Sequence, residues 1–112
     1  MAVIVYSSDP QALLTAIRSA ATTGKIETWS TDSDGDFTHS PEQWRRRAWF
    51  RPRVSNDRVV FTIFPPQKTV MNKVTYAVYH GRFIEMLLSH FDTQFQQAVA
   101  TALPGEGDQV KT

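Results

Sequence analysis

The stretch 44–64 carries most of the chemistry that the sequence offers, because it combines the densest positive charge in the chain with two of its three tryptophans. A turn at Asn56–Asp57 would fold it into a two-stranded antiparallel hairpin. Alternate positions on one face of that hairpin would be apolar, with the cross-strand pairs Val54–Val59, Pro52–Phe61 and Phe50–Ile63. The opposite face would be basic and aromatic, with Trp49, Arg51, Arg53 and Phe64.

A surface that combines arginine with aromatic rings favours binding over catalysis. Guanidinium groups attract phosphates and carboxylates, and arginine and tryptophan are enriched where proteins contact each other. We therefore predict that this face contacts a partner and that four more basic residues flank it: Arg45, Arg46, Arg47 and Arg58. Arginines on an edge strand also prevent unwanted pairing with other sheets, and this purely structural role is the simpler interpretation.

The predicted partner is the acidic surface of another protein or a second copy of the chain. Nucleic acid is the first alternative, because the same arginines could contact phosphates while Trp49 and Phe64 stack on unpaired bases. The whole-chain net charge of only +1 argues against nucleic acid, since domains that bind it usually carry a larger positive excess.

A second cluster, Asp32, Asp34 and Asp36 around Gly35, offers carboxylates at the alternating spacing that calcium loops use. With Gly35 at the sixth loop position, however, the twelfth is Pro41, where a bidentate glutamate belongs. An acidic turn is therefore the preferred interpretation, and no resident metal is predicted. The second alternative function is a small metal-dependent hydrolase in which Asp34, Asp36 and His39 hold a divalent ion.

Three histidines could exchange protons near neutral pH. His90 falls beside Phe91 on a predicted helix, and His80 falls with Arg82 and Glu85 at a predicted strand-to-helix junction, where a helix N-terminus could bind an anion. The sequence contains no nucleophile elbow, no phosphate-binding glycine loop and no zinc-ligand spacing. We predict no catalytic residue and no cofactor.

The distribution of charge and the absence of cysteine narrow the class of protein. Residues 44–73 carry eight positive groups and one negative, whereas residues 1–43 carry two positive and six negative. Without cysteine the chain has no disulfide, thiolate metal ligand or cysteine nucleophile. It has no apolar stretch of about 18 residues and no signal-peptide pattern. We expect a soluble cytoplasmic protein that does not contact membranes.

The N-terminal half contains clear start and stop patterns. Ser8 or Asp9 before Pro10 is typical of a helix start, and Gly24 is typical of a helix end. The Asp–Gly pair within 32–36 favours a tight turn between strands. These patterns predict a strand at Ala2–Tyr6, a helix at Pro10–Thr23, strands at Lys25–Thr31 and Asp36–Thr38, and a short helix at Pro41–Arg47.

After the central hairpin, Pro65–Pro66 ends its second strand because neither proline can donate a backbone hydrogen bond. The alternation of Val74, Tyr76 and Val78 then predicts a further strand at Val70–Tyr79. A wide apolar stripe predicts a long helix from Arg82 to about Ala102.

These elements predict a two-layer α+β domain, in which a mainly antiparallel sheet is packed by an N-terminal helix and a long C-terminal helix. The single domain spans residues 1–103. Residues 104–112 lack an apolar face and are predicted to form a disordered C-terminal tail. The function that fits this arrangement is a small non-catalytic binding domain, with the basic aromatic hairpin face as its contact surface.

Overall fold

The computed structural model describes residues 2–102 of the protein. The six strands form one sheet with the order β2-β3-β4-β5-β1-β6, and every neighbouring pair is antiparallel. The predicted α+β class is therefore confirmed. In chain order the elements are β1 (Ala2–Tyr6), α1 (Pro10–Thr22), β2 (Trp29–Thr31), β3 (Phe37–His39), β4 (Trp49–Val54), β5 (Arg58–Phe64), α2 (Lys73–His90) and β6 (Gln97–Ala100).

The central hairpin has the register that the alternation of side chains predicts. Val54 pairs with Val59, Pro52 with Phe61, and Phe50 with Ile63. The turn is closed by a 2.8 Å hydrogen bond from Ser55 N to Arg58 O, and Ser7 N, after β1, donates to Asp57 O of the turn over 2.9 Å. β4 lies between β3 and β5, but its ladder with β3 is reduced to the single pair Phe37–Phe50. The missing donor of Pro52 therefore falls where β4 has no ladder partner in β3.

Helix α1 begins where the sequence predicts. Asp9 Oδ1 accepts a 3.1 Å hydrogen bond from Ala12 N, and Pro10 occupies the first turn, where no amide donor is needed. Beyond the helix end, Gly24 has a φ of +78°, a conformation that glycine adopts without a steric penalty. The side chains that α1 buries are Pro10, Leu13, Leu14, Ile17 and Ala20.

Helix α2 packs on the sheet through an aromatic cluster. The ring of Phe83 lies 4.9 Å from Trp29, 6.0 Å from Phe37, and 4.8 Å from both Phe50 and Phe61, measured between centroids. These four rings come from four neighbouring strands, β2 to β5. One side chain of α2 therefore contacts most of the width of the sheet.

The boundaries of the C-terminal elements differ from the prediction. Residues 73–79 belong to α2 rather than to a strand, α2 ends at His90, and residues 97–100 form β6 rather than the end of a helix. Asn72 Oδ1 caps α2 by accepting a 2.8 Å hydrogen bond from Thr75 N. Within this segment, capping and a buried stripe at Thr75, Tyr79 and Phe83 outweigh the β-branched alternation.

Two predictions for the N-terminal half of the chain are also wrong. The strand predicted at Lys25–Thr31 is limited to Trp29–Thr31, and residues 41–47 form turns rather than a helix. The predicted tail at 104–112 lies outside the described residues. Within residues 2–102, neither helix has the length and apolar character needed to cross a membrane.

Replacing Phe83 with alanine should lower the free energy of unfolding by about 3–5 kcal/mol, because the ring is fully buried and its removal leaves a cavity. Urea denaturation followed by circular dichroism measures this change. Leu88→Ala on the same helix is the matched control, since Leu88 is 57% exposed. The control should change stability by no more than about 0.5 kcal/mol. Equal losses in both variants would contradict the central role of Phe83.

Candidate functional site

One face of the sheet is left open by the described residues. Buried positions alternate with half-buried ones along β1 and β5, and the buried set joins the residues of α1 and α2 in one core. The half-buried set therefore faces away from the helices. We call this surface the outer face, and it comprises Ile4, Tyr6, Trp49, Arg51, Arg53, Arg58, Val60, Thr62, Phe64 and Val99.

The two predicted aromatic residues of this face do meet. Trp49 and Phe64 are cross-strand partners whose rings are stacked, with centroids 5.8 Å apart and planes inclined by 21°. The guanidinium carbon of Arg51 lies 4.7 Å from the centroid of the same Phe64 ring. A cation this close to an aromatic ring is attracted to it. The three side chains therefore form one cluster at the Trp49 end of the outer face.

Arg51 also forms an ion pair with Asp36, at the start of β3. Its Nε and Nη2 donate to Oδ1 and Oδ2 of Asp36 over 3.2 and 2.9 Å. The Asp36 side chain is only 3% exposed, whereas that of Arg51 is 61% exposed. The hydrogen bond to Asp36 raises the pKa of Arg51 above its ordinary value. Arg51 thus neutralises a buried carboxylate. If it also contacts a partner, as predicted, it does so while paired with Asp36.

The other two arginines lie toward the hairpin turn. Arg53 is exposed and forms no ion pair with the described residues. Arg58 lies over the Tyr6 ring, with its guanidinium carbon 4.9 Å from the centroid, and its Nε donates to Asp57 over 2.8 Å. That hydrogen bond lowers the pKa of Asp57 and raises the pKa of Arg58. The hairpin end of the outer face is therefore its cationic part.

The run 45–47 closely precedes the Trp49 end of the outer face in the chain. All three arginines are exposed in the turn before β4. Arg46 and Arg47 line a separate cavity with Pro66 and with Thr75 in the first turn of α2. This cavity shares Pro66 with the cleft beside Trp49, and the use of these arginines in partner contact stays a prediction.

The acidic turn meets the aromatic end of the outer face. Asp32, Asp34 and Asp36 each place a carboxylate oxygen within 4.8 Å of the others, and they line a cleft of about 560 Å³ with Trp49 and Phe64. His39 instead contacts core rings, with its ring centroid 4.6 Å from that of Trp29. The three aspartates are thus brought together, but the group Asp34, Asp36 and His39 is not.

Two histidines are buried as neutral side chains. Nδ1 of His39 donates to Thr28 O over 2.8 Å, and Nδ1 of His80 donates to Tyr76 O over 2.6 Å. Burial lowers the pKa of both imidazoles below the ordinary value of 6.5. His80 lies inside α2, so the predicted strand-to-helix junction at this position does not exist. The nearby Arg82 and Glu85 form a surface ion pair at 3.4 Å.

The chain matches no protein-family model, no curated protein and no solved structure. Its function is therefore argued from its own side chains. We call the turn at residues 41–47, which carries Arg45, Arg46 and Arg47, the arginine turn. Sequence reasoning missed the role of Thr38 and Tyr79, which form hydrogen bonds with the backbone of this turn. The start of α2 could have been predicted from Asn72, because asparagine is a favoured N-cap residue whose side chain accepts a hydrogen bond from the amide three residues later, here that of Thr75.

Arg51→Gln should lower the free energy of unfolding by about 1–3 kcal/mol, because it removes the charged partner of a buried carboxylate. Arg53→Gln is the matched control on the same face of the same strand, and its effect should stay within about 0.5 kcal/mol. Urea denaturation of both variants at neutral pH measures the difference. If the two variants were equally stable, the Asp36–Arg51 pair would have no structural role.

The free energy of unfolding should fall as the pH is lowered from 7 to 5. His39 and His80 have pKa values below 6.5 in the folded protein, so unfolding takes up protons in this range. The contribution of the two neutral histidines to stability is complete at pH values above the histidine pKa of the unfolded chain. It is lost as the pH falls through their lower pKa values in the folded protein. The free energy of unfolding should change with pH by at most about 1.4 kcal/mol per pH unit for each histidine.

Urea denaturation at several pH values measures this slope. His80→Phe removes one buried titrating group and should make the slope shallower. His90→Gln is the control, since His90 is exposed, and it should leave the slope unchanged. An identical pH dependence in all three proteins would rule out the buried His80 as a source of acid sensitivity.

Proposed function

We propose that the protein is a binding domain whose outer face docks an acidic segment of another protein. The observation that carries this proposal is a sheet face that no described element covers and that carries cations at one end. The absence of cysteine suits a cytoplasmic setting.

The middle of the outer face supplies apolar contact area. Ile4 and Val60 are directly opposite each other on β1 and β5, and Val99 is opposite Ile4 on β6. Tyr6 and Phe64 extend this surface toward its two ends. A partner that covers these side chains removes apolar surface from water, which is the main driving force of most protein association.

The cations of the hairpin end favour an acidic partner. Arg53 has no carboxylate partner among residues 2–102, and Arg58 pairs only with the exposed Asp57 next to it. A partner carboxylate would therefore meet Arg53 without displacing an internal ion pair. Arginine and tyrosine are among the residues most often responsible for binding energy at interfaces. Arg53, Arg58 and Tyr6 are the contacts that we expect to dominate.

Two features weigh against nucleic acid as the ligand. The Phe64 ring is already in contact with Trp49 and with the guanidinium of Arg51, so it is a poor platform for a base. The cleft beside these rings also contains Asp32, Asp34 and Asp36. Carboxylates at that position would repel the phosphates of a strand that followed the face.

A second copy of the chain is less favoured than another protein, because few carboxylates of the acidic turn are free to pair. Asp36 is bound to Arg51. Asp32 Oδ1 accepts hydrogen bonds from the backbone amides of Asp34 and Asp36, each over 3.0 Å. A partner with its own acidic segment therefore complements Arg53 better than this turn does. The hydrolase alternative is not favoured, since His39 is separated from the aspartates.

Selection from a library of displayed random peptides tests the proposal. The protein is immobilised through Leu88→Cys, which is exposed on α2 and would be the only cysteine in the chain. The outer face then remains open to peptides. The selected peptides should combine Asp or Glu with apolar residues, and their binding should fall at least about tenfold in Arg53→Glu, by charge repulsion. Val60→Glu should abolish binding, because it places a carboxylate in the apolar middle of the face.

Arg82→Gln is the matched control, since Arg82 is an exposed arginine on α2, and it should bind the peptides as the parent protein does. Selected peptides without acidic residues would overturn the proposal. If no peptide is selected and the protein sediments as a dimer that Val60→Glu dissociates, the partner is a second copy. Binding of single-stranded oligonucleotides that Arg53→Glu abolishes would instead establish the nucleic-acid alternative.

A further inference from the structure

We propose that the cavity between the arginine turn and the first turn of α2 binds a single phosphate group. The cavity measures about 160 Å³ and is lined by Arg46, Arg47, Pro66, Thr69, Val70, Met71, Asn72 and Thr75. It shares Pro66 with the cleft at the Trp49 end of the outer face, but its other lining residues are different. The proposal does not depend on protein docking at the outer face. The ligand is inorganic phosphate or the phosphate of a small monoester.

The arginine turn is held in a defined position beside α2. The Tyr79 hydroxyl donates a hydrogen bond to the Trp44 carbonyl, and burial raises the pKa of Tyr79, which keeps this donor protonated. Thr38 Oγ1 accepts from Arg46 N over 3.1 Å and donates to Ala48 O over 2.9 Å. These bonds fix the backbone that carries Arg46 and Arg47, so their long side chains extend from a rigid base.

The start of α2 supplies the positive end of the helix dipole. Asn72 and Thr75 of this turn line the cavity, and Asn72 Oδ1 accepts a hydrogen bond from the amide of Thr75. The first turn contains no acidic residue. An anion near a helix N-terminus is stabilised by the dipole. No carboxylate of α2 opposes an anion at this position.

The Thr75 hydroxyl is the observation that separates this cavity from an ordinary helix start. Thr75 is only 5% exposed, yet within residues 2–102 its Oγ1 has no hydrogen-bond partner. The hydroxyl is not completely enclosed by protein, so water can reach it when no ligand is bound. Because Thr75 lines the cavity, a ligand oxygen there would satisfy the hydroxyl.

Size and charge select the class of ligand. A cavity of about 160 Å³ is well below the roughly 300–1,000 Å³ of sites for drug-sized molecules. Two guanidinium groups offer paired N–H donors that match phosphate oxygens, and the Thr75 hydroxyl offers a further donor. The sequence has no acidic residue between Arg58 and Glu85. A compact dianion surrounded by donors therefore fits better than a neutral or cationic molecule.

The backbone around the cavity supports a binding role. Among the described residues, the non-glycine residues with positive φ are Arg46 at 60° and Lys68 at 62°. Arg46 lines the cavity, and Lys68 lies in the connection that leads to it. Such conformations cost energy, and they cluster at ligand-binding sites in proteins.

Titration with sodium phosphate at constant ionic strength, followed by amide NMR, tests the proposal. The amide signals of Asn72 and Thr75, which line the cavity, should shift and saturate, and O-phospho-L-serine should give the same pattern if a monoester is accepted. Arg46→Gln with Arg47→Gln should weaken binding at least about tenfold, because two charged donors are lost. Thr75→Val, which is nearly isosteric, should weaken it several-fold while the protein stays folded.

Arg45→Gln is the matched control. Arg45 is an exposed arginine in the same turn that does not line the cavity, so its loss should leave the affinity within about twofold, the scale of a distant screened charge. Shifts that never saturate, or equal weakening in Arg45→Gln and the double variant, would overturn the proposal. Full affinity in Thr75→Val would remove the hydroxyl from the site and would also contradict it. Saturation by phosphate but not by phosphoserine would identify the free ion as the ligand.

Discussion

The contact of Phe83 with the sheet is the interaction on which the architecture depends. Its ring meets Trp29, Phe37, Phe50 and Phe61, one from each of four neighbouring strands. Aromatic pairs at these separations add to the free energy gained from burial alone. Because α2 and α1 share one core with this side of the sheet, the large apolar side chains are concentrated there. The opposite side has mixed chemistry and is not covered by any element within residues 2–102.

Local patterns predicted the elements whose side chains alternate strictly. The hairpin of β4 and β5 was predicted to the residue, because a shift of one position would have exposed Phe50, Phe61 and Ile63. In the segment 70–102 the long helix was predicted but both of its ends were wrong. At its start, Val74, Tyr76 and Val78 alternate as in a strand while Thr75 and Tyr79 follow a helical stripe. No glycine or proline lies between His90 and Gln97 to show that the helix ends. The sequence contains both a strand pattern and a helix pattern at the start of this segment, and packing against the sheet favours the helix.

The sequence predicted which types of residue form the candidate site, but not most of the contacts between them. That Trp49 meets Phe64 follows from the hairpin register. That Arg51 pairs with Asp36, fifteen residues earlier in the chain, depends on how β3 joins the sheet, and no local pattern contains this information. The arginine turn likewise faces α2 because Tyr79 and Thr38 hold it there. The arginines of one basic stretch thus serve three different parts of the structure: an internal ion pair, the cationic end of the outer face and the lining of a second cavity.

The position of β1 in the strand order has a consequence for synthesis on the ribosome. β1 is made before the other described strands, yet it lies between β5 and β6, with Ala2 paired to Thr62 and Val3 paired to Ala100. Pairing over such separations requires closing long loops before any contact compensates the lost entropy. The nascent chain therefore cannot pair β1 in this sheet until β5 has emerged. β1 gains its second neighbour only with β6, near the end of the described residues.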